Sequence, residues 1–315
     1  MAQPAAPPAH KTLYLIDGHA QIFRAYYAIR GGMTSPVTGE PTHATFAFTG
    51  MLLKLFQQFR PHYVVMVIDS PGKTFRDELY EAYKANRQAP PEDFAPQMAR
   101  MLEITRLLGI PILAKSGAEA DDLIATVTQR ILEDPRYADV QIRIVSKDKD
   151  LEQLLGPRVA MFDIHTDTLI DQDWLLEHKG ITPRQVVDVL TLTGDSVDNV
   201  PGVEGIGPKT AAKLLQEFGS IEGILANLDK VKGKRRENLE KAAAFLPTAR
   251  KLVALDRQVD IDFDMEDARV GGIDAAALRH LFRELGFNRH LNDLNRLLEE
   301  GRSAGGKGQT TSGDA

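Results

Sequence analysis

Nine carboxylate residues are spaced so that they could bind metal ions together. Asp148 and Asp150 are two positions apart, so their side chains share a face of an extended strand. Asp195 and Asp198 are three apart and share a face of a helical turn. The stretch GAEADDLIATV (117–127) places three more acids where an apolar helical pattern begins, more than a helix cap needs. The full set is Asp17, Asp69, Glu119, Asp121, Asp122, Asp148, Asp150, Asp195 and Asp198.

Oxygen ligands in this number favour hard divalent cations such as Mg²⁺. The chain has no cysteine and only eight histidines, so zinc fits poorly. The number of acids indicates a two-metal site, with ions about 4 Å apart that hold the attacking and leaving oxygens of a phosphoryl transfer. The alternative is that each acid is only a helix cap or a turn residue.

The elements around these acids alternate between strands and helices. Apolar runs at 12–17 and 63–69 each end in an aspartate, and a strand pattern at 140–150 runs into two more. Helical patterns occupy 43–59, 96–108 and 120–133. This alternation predicts a parallel sheet covered on both faces, and such sheets bind ligands at the carboxyl ends of their strands.

From about residue 182 the pattern becomes mostly helical, which predicts a second domain with its boundary between Trp174 and Ile181. We expect an α/β domain over 11–180, which carries most of the acids, and a mostly helical domain over 181–300. The Ala/Pro-rich residues 1–10 and the Gly/Ser/Thr-rich residues 301–315 are typical of disordered tails.

The stretch GVEGIGPKTA (202–211) has three glycines followed by a proline where a helix would begin. Glycines allow a phosphate to approach the backbone, and the N–H groups of the following helix then face it. This pattern predicts a helix–hairpin–helix motif that binds the DNA backbone, although an ordinary corner between two helices remains the alternative. Its candidate DNA-binding residues are Gly202, Gly205, Gly207, Lys209, Thr210 and Lys213.

Two further segments are basic. Residues 72–87 interleave cations with aromatic residues, a mixture that suits backbone contact and base stacking on single strands. Residues 230–238 (KVKGKRREN) contact duplex DNA or form a solvated loop. The candidates in the two segments are Arg76, Tyr83, Lys84, Arg87, Lys234 and Arg235.

The bulk properties restrict the possible partners. The formal charge of −6 argues against a nucleic-acid partner unless many of the acids lie in one metal-loaded pocket. The N-terminus lacks the apolar region of a signal peptide, and the apolar runs are too short to cross a bilayer. A cytoplasmic, nucleoid-associated protein without a membrane partner fits these features.

Five stretches resemble, in order, the 5′-nuclease domain of bacterial DNA polymerase I, which is similar to flap endonucleases and phage 5′-exonucleases. They are LIDGHAQIFRAYYA, FRDELYEAYKANR, GAEADDLIATV, SKDKDLEQLL and TGDSVDNVPGVEGIGPKTAAKLL, within a similarity over about 12–295. The resemblance implies a PIN-like α/β core with a helical arch, then a helix-three-turn-helix DNA clamp. It also implies two Mg²⁺ or Mn²⁺ ions and hydrolysis of phosphodiesters near 5′ ends, at nicks, overhangs, flaps and RNA primers, in DNA replication and repair.

The resemblance also implies a role for each motif residue. One metal would be held by Asp17, Asp69, Glu119 and Asp121, and Asp121 would bridge to the second. The second would be held by Asp148, Asp150, Asp195 and Asp198, while Asp122 would support the site from behind. Lys84 and Arg76 would steer the scissile phosphate, Arg87 would hold the single strand, and K⁺ would bind in the 202–209 hairpin.

Three positions depart from the family pattern, because His43, Ala47 and Lys147 stand where glycine is common. Lys147 would add a cation beside Asp148. The resemblance leaves two forms open: a free-standing monomeric nuclease, or the N-terminal domain of a polymerase acting in cis or in trans. The alternative functions are a non-catalytic DNA-structure-binding protein of the same fold and a PIN-type ribonuclease.

Overall fold

The computed structural model describes residues 10–29 and 31–305. Its centre is a six-stranded sheet in the order β3-β2-β1-β4-β5-β6, in which only β6 runs antiparallel. The parallel sheet expected from the strand–helix alternation is therefore confirmed. The strands are β1 (Lys11–Asp17), β2 (Tyr63–Val67), β3 (Ile112–Leu113), β4 (Val140–Val145), β5 (Val159–Asp163) and β6 (Thr168–Ile170).

Helices surround the sheet and continue to the end of the described chain. The first six are α1 (Gly18–Ala28), α2 (His43–Lys54), α3 (Phe75–Leu79), α4 (Phe94–Leu107), α5 (Ala120–Glu133) and α6 (Gln172–Lys179). The others are α7 (Val186–Thr193), α8 (Pro208–Phe218), α9 (Ile221–Ala226), α10 (Lys234–Ala242), α11 (Leu246–Val253), α12 (Ala275–Glu284) and α13 (Asn288–Gly305). The three helical patterns read from the first half correspond to α2 with the π-helical turn after it, to α4 and to α5.

The central strands are apolar on both faces, and each face has its own core. Leu13 and Leu15 of β1 pack with α5 and with α7 to α11. Tyr14 and Ile16 point to the opposite face and pack with α1, α2, α4, α12 and α13. This division follows from the period of two along a strand. Because α7–α11 share a core with the sheet, the C-terminal helices hold the sheet edge and the hairpin in fixed relation.

The segment between β2 and α4, where the resemblance implied a helical arch, contains only the five-residue helix α3 and then turns over 81–86. Lys84 therefore lies in a turn, and Arg87 follows it outside any helix. Lys84 has a positive φ of 54°, and its N–H donates to the carbonyl of Asp198 at 3.0 Å instead of to a helical acceptor.

Helix α13 extends to Gly305, into the range expected to be a tail, and residues 1–9 and 306–315 of the two expected tails lie outside the described residues. Within the described ranges, none of the helices has the length and apolar character needed to cross a membrane.

Candidate metal centre and nucleic-acid interface

Three of the predicted acids meet because three neighbouring parallel strands end at the same edge. Asp17 is the last residue of β1, while Asp69 and Asp148 follow the ends of β2 and β4, the strands on either side of it. The chain reverses its order across β1 and β4, and a crevice for ligands forms at such a point.

Local hydrogen bonds hold these acids in place. The Ser146 hydroxyl donates to Asp17 Oδ2 at 2.7 Å and accepts the N–H of Asp148 at 3.1 Å, so it joins the ends of β1 and β4. Asp69 Oδ1 accepts the N–H of Ala120 at 2.7 Å, which fixes the start of α5 beside β2. The Asp69 N–H donates to Nδ1 of His19 at 3.1 Å, which ties α1 to the residues that follow β2.

Four of the acids lie together without a protein cation as partner. Among the described residues, Asp17, Asp121, Asp148 and Asp150 make no ion pair with a lysine or arginine. Burial and the neighbouring carboxylates raise the pKa of Asp17 to about 6 and that of Asp150 to about 8. The same two causes hold the pKa of Asp121 well above its ordinary value. The buried Oδ1 of Asp150 has no hydrogen-bond partner.

This donor set fits divalent metal ions, because uncompensated carboxylate oxygens and one unpartnered buried oxygen face one another. Within the described part of the chain, no group of three or more His, Asp or Glu side chains is arranged closely enough to enclose a metal ion. Ion binding therefore requires these side chains to draw together.

The remaining acids of the site are held by cations of the segment after β2. Lys84 Nζ lies 2.8 Å from Glu119 Oε2, and Arg87 donates to Asp198 Oδ1 at 2.6 Å. The hydroxyl of Tyr83 joins the two acids, at 3.2 Å from Glu119 Oε2 and 3.1 Å from Asp198 Oδ2. Lys84 and Arg87 are thus placed at the site although the segment is not helical.

A third cation holds Asp195. Lys149 Nζ lies 3.1 Å from Asp195 Oδ2, and the N–H groups of Val197 and Asp198 donate to Oδ1 at 2.7 and 3.3 Å. These contacts lower the pKa of Asp195 despite its burial. Lys147, by contrast, turns away from Asp148 and pairs with the buried Asp163 at 2.6 Å.

The structure corrects the roles expected for Arg76 and Asp122. Arg76 is 1% exposed and grips both oxygens of the equally buried Asp122, at 2.6 and 2.8 Å. Its remaining donors reach the carbonyls of Leu252 and Ala254, and Asp122 also accepts the N–H of Asp256. Both oxygens of the buried Asp122 are thus engaged within the protein, and the buried Arg76 guanidinium is used on Asp122 and the two carbonyls, with Glu119 a further 3.8 Å contact. The pair joins the segment after β2 to the end of α11.

The stacking role expected for Tyr83 is also wrong. Its ring is 5% exposed and lies beneath Lys84, whose Nζ is 5.0 Å from the ring centroid. A base cannot stack on a buried ring. Burial and the neighbouring acids Glu119 and Asp198 raise the pKa of the Tyr83 hydroxyl, so it remains a hydrogen-bond donor to both carboxylates.

The predicted hairpin lies between α7 and α8. Gly202 is required by close packing, since a Cβ there would lie 2.2 Å from the carbonyl carbon of Thr193, and Gly205 has a φ of 76°. Gly207 is extended and caps α8, and a Cβ at this position would meet nothing within 4 Å. Lys209 and Lys213 of α8 are exposed, and Thr210 bonds back to the Gly207 carbonyl through its N–H.

The basic segment 230–238 lies against this hairpin. Lys234 and Arg235 form the exposed first turn of α10. Asn238 of the same helix donates to the carbonyl of Glu204 at 2.8 Å. The contact aligns the basic turn with the hairpin, which favours a duplex contact over a detached solvated loop.

Three residues that hold the site were missed in the sequence. His19 and Ser146 each lie two positions from a predicted acid, and Lys149 stands between two of them in SKDKD. The feature of the sequence that could have identified them is that each lies close to a predicted acid. This closeness does not show which backbone or carboxylate group the side chain contacts.

The sequence and the structure were then compared with known proteins. The 5′-3′ exonuclease N-terminal resolvase-like domain matches residues 12–180, and the C-terminal SAM fold of the same family matches residues 181–276. A 5′-3′ exonuclease of Aquifex aeolicus is 35% identical over 290 residues, which cover 92% of this chain and 97% of that protein.

A DNA polymerase I of Rhizobium leguminosarum is 41% identical over 262 residues, which cover 81% of this chain but only 25% of the polymerase. The chain thus spans about a quarter of the length of that relative. The fold matches the bacteriophage T5 flap endonuclease, solved as a pseudo-enzyme-product complex with DNA and metal ions. The TM-score is 0.63 at 21% identity, over 92% of this chain and all of that one.

Proposed function

The chain belongs to the 5′-3′ exonuclease family, and on this premise we propose that it hydrolyses DNA phosphodiesters near 5′ ends as a structure-specific exonuclease and flap endonuclease. The observation that carries the proposal is the cluster of uncompensated acids at the carboxyl ends of β1, β2 and β4, faced by the cations Lys84 and Arg87. The comparisons give no support to a non-catalytic binding protein or a PIN-type ribonuclease.

We propose that Asp17, Asp69, Asp121, Asp148 and Asp150 hold two divalent cations, Mg²⁺ or Mn²⁺, with Glu119, Asp195 and Asp198 as ligands once their cation partners move away. When bound, such ions activate water and stabilise the attacking and leaving oxygens of a phosphoryl transfer. The unpartnered Oδ1 of Asp150 supports this set, because a buried acceptor without a donor is explained by an absent ligand.

The chain's own residues supply orientation and charge. Ser146 and His19 hold Asp17 and Asp69 through hydrogen bonds, which restricts the directions in which these two acids can turn as the site closes on an ion. Lys84 is 22% exposed beside Glu119 and can reach a phosphate at the site. An ammonium there stabilises charge that develops on the scissile phosphate.

We propose that duplex DNA is held by the hairpin and by the first turn of α10. Lys209 and Lys213 are exposed on α8, and Asn238 keeps the basic turn of α10 against the hairpin. Contacts of this kind bind the backbone without reading its sequence. The proposal also includes a K⁺ ion bound within 202–209 and RNA primers as further substrates. The protein would act as a monomer on nucleoid DNA in the cytoplasm, with a polymerase domain in cis or in trans.

The test uses a duplex with a 5′-labelled flap, incubated with the purified chain in Mg²⁺ and separately in chelator. We expect cleavage near the flap junction in Mg²⁺ only. The control is Asp121→Asn, which keeps the size of the side chain and should bind the flap while losing cleavage. Absence of cleavage by the parent chain in both Mg²⁺ and Mn²⁺, with DNA still bound, would refute the nuclease and leave a binding protein.

A further inference from the structure

Lys149 lies between Asp148 and Asp150 in the stretch SKDKD and forms an ion pair with a third acid, Asp195. Its Nζ contacts Asp195 Oδ2 at 3.1 Å, and the other oxygen of Asp195 accepts two backbone N–H groups. Both oxygens of Asp195 therefore have partners within the protein, and the residue is buried, with 6% of its surface exposed. A carboxylate in this state cannot bind a metal until its ammonium partner leaves.

Asp150, the residue after Lys149, differs from Asp195 in its hydrogen bonds. The buried Oδ1 of Asp150 has no hydrogen-bond partner, while Lys149, the next residue back, gives its ammonium to Asp195. Lys149 thus forms an ion pair with Asp195 and none with Asp150, on which it acts only through space. The ion pair can be removed by moving one side chain, while the two backbone N–H groups stay on the other oxygen of Asp195.

Space for that movement exists on the side of the hairpin. A cavity of about 340 Å³ is lined by Lys149 and by Pro208 and Lys209 at the start of α8, with Glu152 and Lys179 also in its lining. The Lys149 side chain is 45% exposed, so it can leave Asp195 without disturbing the core. The cavity therefore extends from Lys149 to the start of α8, directly after the hairpin that is proposed to hold the DNA backbone.

We propose that Lys149 exchanges partners: it holds Asp195 in the DNA-free protein and moves to a backbone phosphate of bound DNA, which frees Asp195 for a divalent cation. DNA binding and metal binding would then strengthen each other, because each removes the competitor of the other. By linkage, DNA must raise the metal affinity by the same factor by which the metal raises the DNA affinity. The inference rests on the proposed nuclease function but concerns binding, not cleavage.

The first experiment measures Mn²⁺ affinity of the DNA-free chain by electron paramagnetic resonance, in the parent and in Lys149→Met. Removing the ammonium frees a carboxylate and deletes a positive charge near the metals. The affinity should therefore rise about tenfold, the effect of about 1.4 kcal/mol. Lys149→Arg should stay close to the parent, because it keeps the charge and the hydrogen bond.

The matched control is Lys147→Met. It removes the same charge two positions away, but Lys147 pairs with Asp163 at 2.6 Å and holds none of the proposed metal ligands. Its Mn²⁺ affinity should change by less than about twofold, since no carboxylate of the site is released. Thermal unfolding in chelator shows whether each variant folds, and Lys149→Gln replaces Lys149→Met if the latter does not.

The second experiment measures the affinity of the protein for a 5′-labelled flap duplex with and without Ca²⁺. Ca²⁺ is used because it binds to oxygen ligands as Mg²⁺ does, and the labelled DNA is checked for cleavage. Ca²⁺ should strengthen binding by the parent several-fold more than binding by Lys149→Met. If a folded Lys149→Met binds Mn²⁺ no more tightly than the parent, or Lys147→Met gains as much, the exchange is refuted. Flap cleavage by the parent is scored separately, so failure of the nuclease proposal would be distinguishable.

Discussion

Replacing both residues of the Arg76–Asp122 pair with apolar residues tests whether Arg76 stabilises the fold or takes part in cleavage. Both side chains are almost fully buried, and the guanidinium holds the carboxylate through two bonds. The variants are Arg76→Met, Asp122→Leu and the double variant. Arg76→Met should impair the protein whether Arg76 steers a phosphate or supports the fold. The two roles predict different cleavage rates only for the double variant.

The expected magnitudes follow from the contacts. Arg76→Met leaves a buried carboxylate without its cation, which costs about 3–5 kcal/mol. It also removes the donors to the carbonyls of Leu252 and Ala254, each worth about 1 kcal/mol. The double variant leaves no charge of the pair without its partner. It loses these neutral bonds and the bond from the Asp256 N–H, about 2–3 kcal/mol, and the longer contact of Arg76 with Glu119, which keeps Lys84 as its partner. It should therefore be more stable than Arg76→Met by about 2 kcal/mol or more.

The assay combines thermal unfolding in chelator with single-turnover cleavage of a flap duplex. At about 2 °C per kcal/mol for a chain of this size, Arg76→Met should melt about 10 °C below the parent and the double variant about 5 °C below it. The double variant should also cleave within about tenfold of the parent, since it loses only the longer contact of Arg76 with Glu119 at 3.8 Å while Lys84 stays 2.8 Å from that acid. A double variant that folds and binds DNA but cleaves at least about 10²-fold more slowly would refute this and restore Arg76 as a phosphate contact.

Three further outcomes are expected. Lys84→Ala should lower the single-turnover rate by about 10²-fold with a much smaller change in flap affinity, and equal losses would make Lys84 a general DNA contact. Asp17 and Asp150 have pKa values raised to about 6 and about 8, so the folded protein holds protons that the unfolded chain releases. The free energy of unfolding in chelator should therefore fall as pH rises from about 4 to about 8, and Mg²⁺ should remove most of the fall; a flat profile in calorimetry would contradict the acid cluster. Flap affinity should decrease with salt despite the charge of −6, and Lys209→Met and Lys213→Met should each reduce the log–log slope by about 0.9; an unchanged slope would remove α8 from the interface.

The convergence of Asp17, Asp69 and Asp148 could be predicted because it depends only on strand direction. Apolar runs that end in aspartate mark parallel strands, and parallel strands of one sheet finish at one edge. The hairpin was equally readable, since glycine spacing and a proline at the helix start are local signals. What the structure adds here is the joining of the strand ends by Ser146.

The partners of Arg76 could not be predicted, since no local rule connects residues so distant in sequence. Its contacts lie 46 positions away at Asp122 and 178 positions away at Ala254. An arginine beside aromatic residues in a basic segment gives the same pattern whether it faces DNA or the core. The turn at Lys84 was hidden for the same reason, because the acceptor for its N–H is the carbonyl of Asp198.

The division of the acids into open and cation-paired sets resolves the conflict between an acidic chain and a DNA partner. Glu119, Asp198 and Asp195 are paired with Lys84, Arg87 and Lys149, so in the free protein these cations are occupied by the chain itself. Two divalent cations would bring the formal charge from −6 to about −2 and replace the protein cations at the acids. Under the proposed function, each ammonium or guanidinium released in this way would become available to a phosphate of bound DNA. The attraction for DNA at the site would then arise when metal binds, which the net charge of the sequence does not measure.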